Sequence, residues 1–311
     1  MSNTVLKVDA GQLEKMRHYY QTKLTDKIPQ GGLFTAKTTG CTITAYRSGK
    51  VLFQGKEAAK EAAKWGNGDS QKSSPSSSAS RKQVSSLPDN IGRQSFIGSD
   101  EVGTGDYFGP ITVVAAYVDK KQIPLLQELG VRDSKSLTDE KIINIAKQLT
   151  AFLPYSLLVL HNNKYNELQQ KGMSQGKMKA ILHNQAIGHV LRKIEPEKPE
   201  GILIDQFVES AIYYKHIAAQ KQIVRENVYF STKGESVHIA VAAASMIARY
   251  AFLKEMDKLS KQAGFTLPKG AGTQVDVAAA RLIKSKGEQS LPLFTKLHFA
   301  NTQKAMKIAQ K

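Results

Sequence analysis

A low-complexity segment at residues 66–90 divides this chain into two parts. It consists almost entirely of serine, glycine, proline, amide and charged residues, so it buries too little apolar surface to offset the entropic cost of ordering its backbone. A structureless stretch of this length is also uncommon inside a compact domain. We therefore predict a flexible linker at residues 66–90, between a small domain at residues 1–65 and a larger one at residues 91–311. The alternative is a long, ordered surface loop.

The small domain shows the residue spacing of an α+β unit. Alternating apolar residues indicate strands, and apolar residues three and four apart indicate helices. The pattern predicts the order β-α-β-β-α, with a further strand near residues 33–37 and a hairpin turn at residues 48–49. The predicted strands span residues 4–8, 41–47 and 50–54, and the predicted helices span residues 10–24 and 56–65.

Net charge is the unusual part of the composition. The chain carries 44 lysines and arginines against 27 aspartates and glutamates, a formal net charge of +17. Residues 1–85 alone hold 14 basic and 6 acidic residues, so the small domain and most of the predicted linker carry +8 of that charge. A field of this sign favours polyanions, either nucleic acid or an anionic membrane surface. The small domain therefore suits binding to a phosphate backbone, and the alternative is a solvated module that only aids solubility.

Other features narrow the class of protein. The single cysteine, Cys41, excludes an intrachain disulfide framework and a multi-cysteine zinc site. The first residues lack the basic-then-apolar pattern of a signal peptide, and no stretch approaches the roughly 18 apolar residues of a membrane span. We expect a cytoplasmic protein that handles nucleic acid, without a membrane partner. No apolar surface suited to oligomerisation is evident, so we expect a monomer.

The larger domain alternates strands and helices, which indicates an α/β sheet flanked by helices. Thr138 and Ser174 are suitable N-cap residues for two of the helices. The predicted strands span residues 94–99, 110–118, 155–161, 201–205 and 222–230, and the predicted helices span residues 139–150, 174–194, 208–219, 237–262 and 274–286.

Four acidic residues stand at the ends of these elements. Asp100 and Glu101 follow a strand and precede a Gly-x-Gly turn, and Asp205 ends a wholly apolar strand. Glu235 lies just ahead of an apolar helix. Because neighbouring residues of a strand point to opposite faces, Asp100 and Glu101 share a site only if the chain turns there.

Each acid also has an ordinary structural explanation. The pair Asp100 and Glu101 could simply solvate a loop, Asp205 could cap the helix near residue 208, and Glu235 could stabilise a helix dipole. Together, however, carboxylates that converge from strand ends and a helix start make an oxygen-rich site suited to Mg²⁺ or Mn²⁺. Two such ions about 4 Å apart stabilise the attacking and leaving oxygens of a phosphodiester displacement.

Motifs at residues 100–110, 133–137, 202–205 and 238–249 resemble the type 2 ribonucleases H, and most closely the bacterial ribonuclease HIII branch. They read Asp-Glu-Val-Gly-Thr-Gly-x-x-x-Gly-Pro, Asp-Ser-Lys-Ser-Leu, Ile-Leu-Ile-Asp and His-Ile-Ala-Val-Ala-Ala-Ala-Ser-Met-Ile-Ala-Arg. The resemblance implies a ribonuclease-H-like mixed sheet flanked by helices. It also implies a preceding small α+β domain that resembles half of a TATA-box-binding protein and holds substrate.

The resemblance also implies an activity: endonucleolytic cleavage of the RNA strand in RNA·DNA hybrids, which leaves 5′-phosphate and 3′-hydroxyl ends. By position, its four active-site acids fall on Asp100, Glu101, Asp205 and Glu235. We hypothesise that the first three hold Mg²⁺ or Mn²⁺, and that Glu235 completes the metal site or positions the attacking water.

Substrate contacts follow from the same resemblance. They fall on Gly103, Thr104, Gly105, Ser134 and Lys135, of which Lys135 is expected to contact a phosphate. Thr104 stands where the ribonuclease HII branch typically has a basic residue, which argues against efficient incision at a single ribonucleotide embedded in DNA. The rival interpretations are a metal-dependent DNA nuclease or resolvase, and a nucleic-acid-binding protein without catalysis.

Overall fold

The computed structural model describes residues 3–26, 28–29, 32–47, 49–65, 87–132 and 137–310. Contacts between residues divide the chain into two units, residues 1–82 and 83–311, which are described separately. Three sequence predictions fall outside the described residues: Ser134, Lys135 and most of the linker at residues 66–90.

The first unit is a five-stranded antiparallel sheet with two helices. The strand order is β1-β5-β4-β3-β2, and the strand at residues 33–37 predicted from sequence is present as β3. Its elements are β1 (Asn3–Lys7), α1 (Ala10–Tyr19), β2 (Leu24–Thr25), β3 (Gly32–Thr38), β4 (Cys41–Tyr46), β5 (Lys50–Gln54) and α2 (Ala58–Ala63). The first helix ends five residues earlier than the sequence predicts, because a 3₁₀ turn at Gln21–Lys23 leads directly into β2.

One face of this sheet packs on the helices through a core that includes Met16, Ile43 and Phe53, all fully buried. A polar network closes the edge of that core. Tyr20 Oη donates to Glu61 Oε1 at 3.0 Å, and Trp65 Nε1 donates to Tyr20 Oη at 2.8 Å. These hydrogen bonds satisfy the polar atoms that packing buries, so the ends of α1 and α2 are joined at small cost.

The second unit is built on a mixed five-stranded sheet, as the resemblance implied. The strand order is β10-β9-β6-β7-β8. The strands are β6 (Phe96–Val102), β7 (Ile111–Val118), β8 (Tyr155–Leu160), β9 (Gly201–Asp205) and β10 (Val228–Ser231). β9 runs parallel to both of its neighbours, whereas β7 runs antiparallel to β6 and β8.

Helices cover both faces of this sheet. They are α3 (Ile123–Glu128), α4 (Asp139–Phe152), α5 (Asn162–Gln170), α6 (Gln175–Ile194), α7 (Ser210–His216), α8 (Gly234–Val237), α9 (Ile239–Ala263), α10 (Thr273–Lys286), α11 (Leu291–Phe294) and α12 (Ala300–Ala309). The predicted N-caps Thr138 and Ser174 accept hydrogen bonds from the backbone nitrogens of Lys141 and Lys177. The sequence pattern missed α3, α5, α8, α11 and α12, which are short or mostly polar.

Residues of β6 alternate between two cores, one beneath α9 and one beneath α6. Phe96 packs in the core that contains the start of α9, and Ile97 packs in the core that contains much of α6. At Gly98 the strand and α9 come into backbone contact. A Cβ atom built there would lie 2.2 Å from the carbonyl carbon of Ala240 and from the nitrogen of Val241. Only glycine permits this approach.

We predict that Gly98→Ala destabilises the protein, because the added methyl group must push α9 away from β6. Overpacking of this kind costs about 1–3 kcal/mol in the free energy of unfolding, and more where backbone must move. Chemical denaturation measures the change. Gly188→Ala is the matched control: Gly188 lies inside α6 with only Arg192 Nη1 near, at 3.9 Å. Since alanine is the better helix former, this control should gain up to about 1 kcal/mol. Equal stability of the two variants would contradict the prediction.

Candidate active site

Asp100 and Asp205 lie side by side because their strands are parallel neighbours. The register pairs Ser99 of β6 with Ile204 of β9, so the next residue on each strand is an aspartate. The sequence placed the acidic pair after the end of its strand, and this boundary is wrong. Asp100 and Glu101 pair with residues of β7, and β6 continues to Val102.

Asp100 occupies an environment that disfavours its charge. Its side chain is buried on the α9 side of the sheet, where it hydrogen-bonds with Ser245. Burial, followed by repulsion from Glu101 and Asp205, raises the pKa of Asp100 to about 8. A carboxyl group with this pKa is largely protonated at neutral pH, unless a cation joins it.

Glu101 points to the opposite face, toward α6, and is held there by two donors. Lys179 Nζ donates to Oε1 at 2.6 Å, and His183 Nε2 donates to Oε2 at 2.9 Å. Burial alone would raise the pKa of Glu101, but the hydrogen bonds and charges of His183 and Lys179 outweigh it and lower the pKa to about 2. The chain therefore does not turn between Asp100 and Glu101, and these adjacent carboxylates sit in opposite electrostatic environments. The expectation that they share a site only if the chain turns is wrong, because Glu101 lies close enough for its charge to raise the pKa of Asp100 without a turn.

The donors to Glu101 are themselves packed in place. His183 Nδ1 lies 2.7 Å from Ser99 Oγ, and the Phe207 ring stacks on the His183 ring with centroids 5.1 Å apart. Lys179 Nζ lies 4.1 Å from the centroid of the same Phe207 ring. Sequence reasoning assigned no role to Lys179 or His183. Their four-residue spacing puts them on one face of α6, but spacing alone does not identify the carboxylate they meet.

Asp205 and Glu235 are brought to the same edge of the sheet by the turn after β10. Asp205 Oδ1 accepts a hydrogen bond from the backbone nitrogen of Gly234 at 2.8 Å, and Glu235 follows in α8, with 8% of its surface exposed. Asp205 therefore does not cap the helix near residue 208. Nor does Glu235 cap α9, since His238 Nδ1 accepts from the nitrogen of Ala240 at 3.0 Å.

The Gly-Thr-Gly segment forms the loop that leaves β6. Gly103 has a φ of +97°, and a Cβ atom there would lie 2.1 Å from the Pro110 carbonyl oxygen, so no other residue fits. The Thr104 carbonyl oxygen accepts a hydrogen bond from Gln175 Nε2 at 3.2 Å. Among the atoms that the structure describes, the buried Thr104 Oγ1 has no hydrogen-bond partner. Gly105 has open space where a Cβ atom would stand.

A fully buried lysine secures the far side of this loop. Lys296 Nζ donates to the carbonyl oxygens of Asp106 and Gly109, at 2.7 and 2.6 Å. Burial lowers the pKa of Lys296 to about 7, although the nearby Asp106 opposes the shift. The sequence contains no local signal for this contact, because the partners are almost two hundred residues apart.

The donor set suits a hard divalent cation. The raised pKa of Asp100 reflects its burial and, after that, the carboxylate charges of Glu101 and Asp205, which a cation would offset. Carboxylate oxygens are also the ligands that Mg²⁺ and Mn²⁺ prefer. Within the described ranges, no three His, Cys, Asp or Glu side chains already form a ligand group. The acidic residues thus fit a divalent cation through the chemistry of their oxygen donors and through their negative charge.

Comparisons with known proteins agree with this arrangement. The family model described as ribonuclease HII matches residues 97–302, and a domain family of unknown function, DUF3378, matches residues 3–78. Ribonuclease HIII of Bacillus licheniformis is 61% identical, and the alignment covers 100% of each chain. Ribonuclease HIII of Bacillus subtilis is 59% identical over 100% of this chain and 99% of its own.

Solved structures agree as well. The crystal structure of Bst-RNase HIII in complex with Mn²⁺ is 49% identical and superposes with a TM-score of 0.71 over 99% of each chain. RNase H3 of Aquifex aeolicus, at 22% identity and a TM-score of 0.54, shares the fold.

A mixed sheet with acids at adjoining strand ends, matched by the ribonuclease HII family model, defines a type 2 ribonuclease H. The chain belongs to this family, in its ribonuclease HIII branch. The resemblance seen in the sequence motifs is confirmed, as is the fold class that it implied. Among the described residues, no helix is long and apolar enough to cross a membrane.

We predict that Asp100→Asn removes a pH-dependent loss of stability in EDTA. The folded-state pKa of Asp100, about 8, exceeds its ordinary value of 3.8, so the folded protein keeps a proton that the unfolded chain releases. The free energy of unfolding of the wild type therefore falls as pH rises from about 4 to about 8. Asparagine has no such proton, so the variant should gain on the wild type over that range.

Urea denaturation across this pH range measures the difference. The control is Asp257→Asn, the same change at an exposed position of α9, whose difference from wild type should stay constant. A constant difference for Asp100→Asn as well would contradict the assigned environment of Asp100.

Proposed function

We propose that this protein cuts the RNA strand of RNA·DNA hybrids endonucleolytically and leaves 5′-phosphate and 3′-hydroxyl ends. The observation that carries the proposal is the placement of Asp100 beside Asp205 at adjoining strand ends. Glu101 follows Asp100 in β6, and Glu235 follows Gly234, whose backbone nitrogen donates to Asp205. This acid set lies in a chain that is 61% identical, from end to end, to a ribonuclease HIII.

Asp100, Glu101, Asp205 and Glu235 would hold Mg²⁺ or Mn²⁺, which when bound activates water and stabilises charge on the phosphate oxygens. The residues of the chain prepare this site in different ways. Lys179 and His183 keep Glu101 ionised, and the Gly234 nitrogen orients Asp205. Glu235, at the start of α8, completes the site or positions the attacking water.

The loop at residues 103–105 would recognise the RNA strand. The 2′-hydroxyl group distinguishes RNA from DNA at a backbone position. The Thr104 hydroxyl group can both donate and accept a hydrogen bond and has no partner among the described atoms, but it is buried and must rotate outward to reach the substrate. Gly103 and Gly105 let the backbone approach the substrate closely. Ser134 and Lys135 are further proposed contacts, with Lys135 on a phosphate.

The N-terminal unit would bind the duplex through the sheet face that its helices leave uncovered. Lys7 and Lys50 are directly paired neighbours on this face, and Lys37 lies on it two strands away. All three side chains are exposed. We propose residues 1–65 as the substrate-binding domain, 66–90 as a flexible linker and 91–311 as the catalytic domain. The contact-based division between residues 82 and 83 falls inside the proposed linker and supports it.

We further propose a monomer that acts in the cytoplasm. The net charge of +17 supports a polyanionic partner. Light scattering on the purified protein tests the oligomeric state.

We predict that the full-length protein with Mg²⁺ or Mn²⁺ cleaves a labelled RNA·DNA hybrid but not the matched DNA·DNA or RNA·RNA duplexes. Asp100→Asn should lower the hybrid cleavage rate by about a thousand-fold or more, since several kcal/mol of metal-assisted stabilisation is removed. Asp257→Asn is the control and should cleave normally. Cleavage of DNA·DNA would instead indicate a DNA nuclease, and binding without any cleavage would indicate a non-catalytic protein.

The N-terminal face can be tested by its salt dependence. Lys7→Gln combined with Lys50→Gln should weaken hybrid binding and reduce the slope of log K against log salt by about 0.7–0.9 for each phosphate group that is no longer neutralised. Lys15→Gln with Lys60→Gln, two exposed lysines on the helical side of the same unit, is the control with equal charge change. Equal slopes for the two double variants would argue for a solubility module.

A further inference from the structure

Two adjacent carboxylates of the proposed metal site lie in opposite electrostatic environments. Asp100 faces other carboxylates, whereas each oxygen of Glu101 meets a nitrogen donor from α6. We propose that Lys179 and His183 are positioning residues that fix the Glu101 carboxylate in the orientation needed to bind the divalent cation. This inference rests on the proposed function, because it assumes that Glu101 is a metal ligand.

The contacts are too buried to be an incidental surface ion pair. The side chain of His183 is 0% exposed, that of Lys179 is 9% exposed and that of Glu101 is 11% exposed. Burying a lysine ammonium group carries a large desolvation cost that only a close partner offsets. With Lys179 Nζ 2.6 Å from Oε1, the carboxylate is that partner, and the pair is confined to one geometry.

Residues of β6 and of the segment that follows β9 hold His183 in place on the side that faces away from Glu101. Ser99 Oγ donates to the Val114 carbonyl oxygen at 2.9 Å and lies 2.7 Å from His183 Nδ1, so the ring nitrogen that faces away from Glu101 is also anchored. Phe207 stacks on His183 at an interplanar angle of 24°, and it follows Asp205 by two residues. The orientation of Glu101 is thereby connected to the strand that carries Asp205.

This arrangement leaves Glu101 able to bind a cation. An ionised carboxylate has about four lone-pair positions on its two oxygens. Lys179 and His183 each occupy one position, on different oxygens. A second lone pair on each oxygen stays available, and the plane of the group is already set. Groups that orient metal ligands in this way are typically worth about 10–100-fold in metal affinity.

The test compares two histidines of α6 that make the same hydrogen bond. His189 Nδ1 lies 3.1 Å from Ser156 Oγ, just as His183 Nδ1 faces Ser99 Oγ, but only His183 belongs to the Glu101 cluster. Mn²⁺ affinity of the full-length protein is measured by isothermal titration calorimetry, alongside the Mn²⁺-induced rise in Tm. His183→Leu should weaken Mn²⁺ binding by about 10–100-fold, whereas His189→Leu should bind like the wild type.

Three further variants, one of them a control, keep the proposal testable if His183→Leu does not fold. His183→Gln retains an N–H donor and should recover most of the affinity. Lys179→Met should weaken Mn²⁺ binding, while Lys177→Met, on the same helix, should not. Unchanged or tighter Mn²⁺ binding in Lys179→Met would overturn the proposal, because tighter binding means that Lys179 competes with the metal. If the wild type itself binds no Mn²⁺ and Asp100→Asn changes nothing, the proposed metal site fails instead.

Discussion

The parallel pairing of β6 with β9 is the contact on which the catalytic architecture depends. It joins strands that are a hundred residues apart in sequence, and its register decides that Asp100 and Asp205 end as neighbours. A slip of one residue would turn one of these side chains to the opposite face. The close approach of α9 at Gly98 and the antiparallel partner β7 hold β6 from its other sides. The sheet therefore fixes the site before any side chain adjusts.

Strand geometry also explains why adjacent acids behave differently. Successive side chains of β6 face opposite sides, so Asp100 enters the layer beneath α9 and Glu101 the layer beneath α6. The first environment buries Asp100 beside other carboxylates and raises its pKa, while the second supplies two nitrogen donors to Glu101 and lowers its pKa. The two faces of β6 thus have opposite effects on neighbouring carboxyl groups. One disfavours the charge of Asp100, and the other keeps Glu101 ionised.

Much of this organisation could be predicted from local sequence. Apolar runs located the central strands, and N-cap residues such as Thr138 marked helix starts correctly. Motif resemblance identified the family correctly, and it also supplied the four acids that stay a prediction for the site. Local sequence patterns gave wrong or missing predictions where a residue distant in sequence determines the structure. β6 extends past Asp100 because β7 pairs with it there, and polar α5 is a helix because it packs against the rest of the unit. The roles of Lys179 and His183 could not be predicted, since their partner Glu101 lies some eighty residues away in sequence.

Lys296 has a consequence for how the enzyme matures during synthesis. The loop that would read the substrate, residues 103–105, is synthesised well before Lys296, whose side chain holds the carbonyl oxygens of Asp106 and Gly109 just after that loop. A nascent chain whose four acids have already emerged from the ribosome can still lack the contacts made by Lys296. A chain that terminated before Lys296 would therefore carry the four acids without the contacts that hold the segment after residues 103–105.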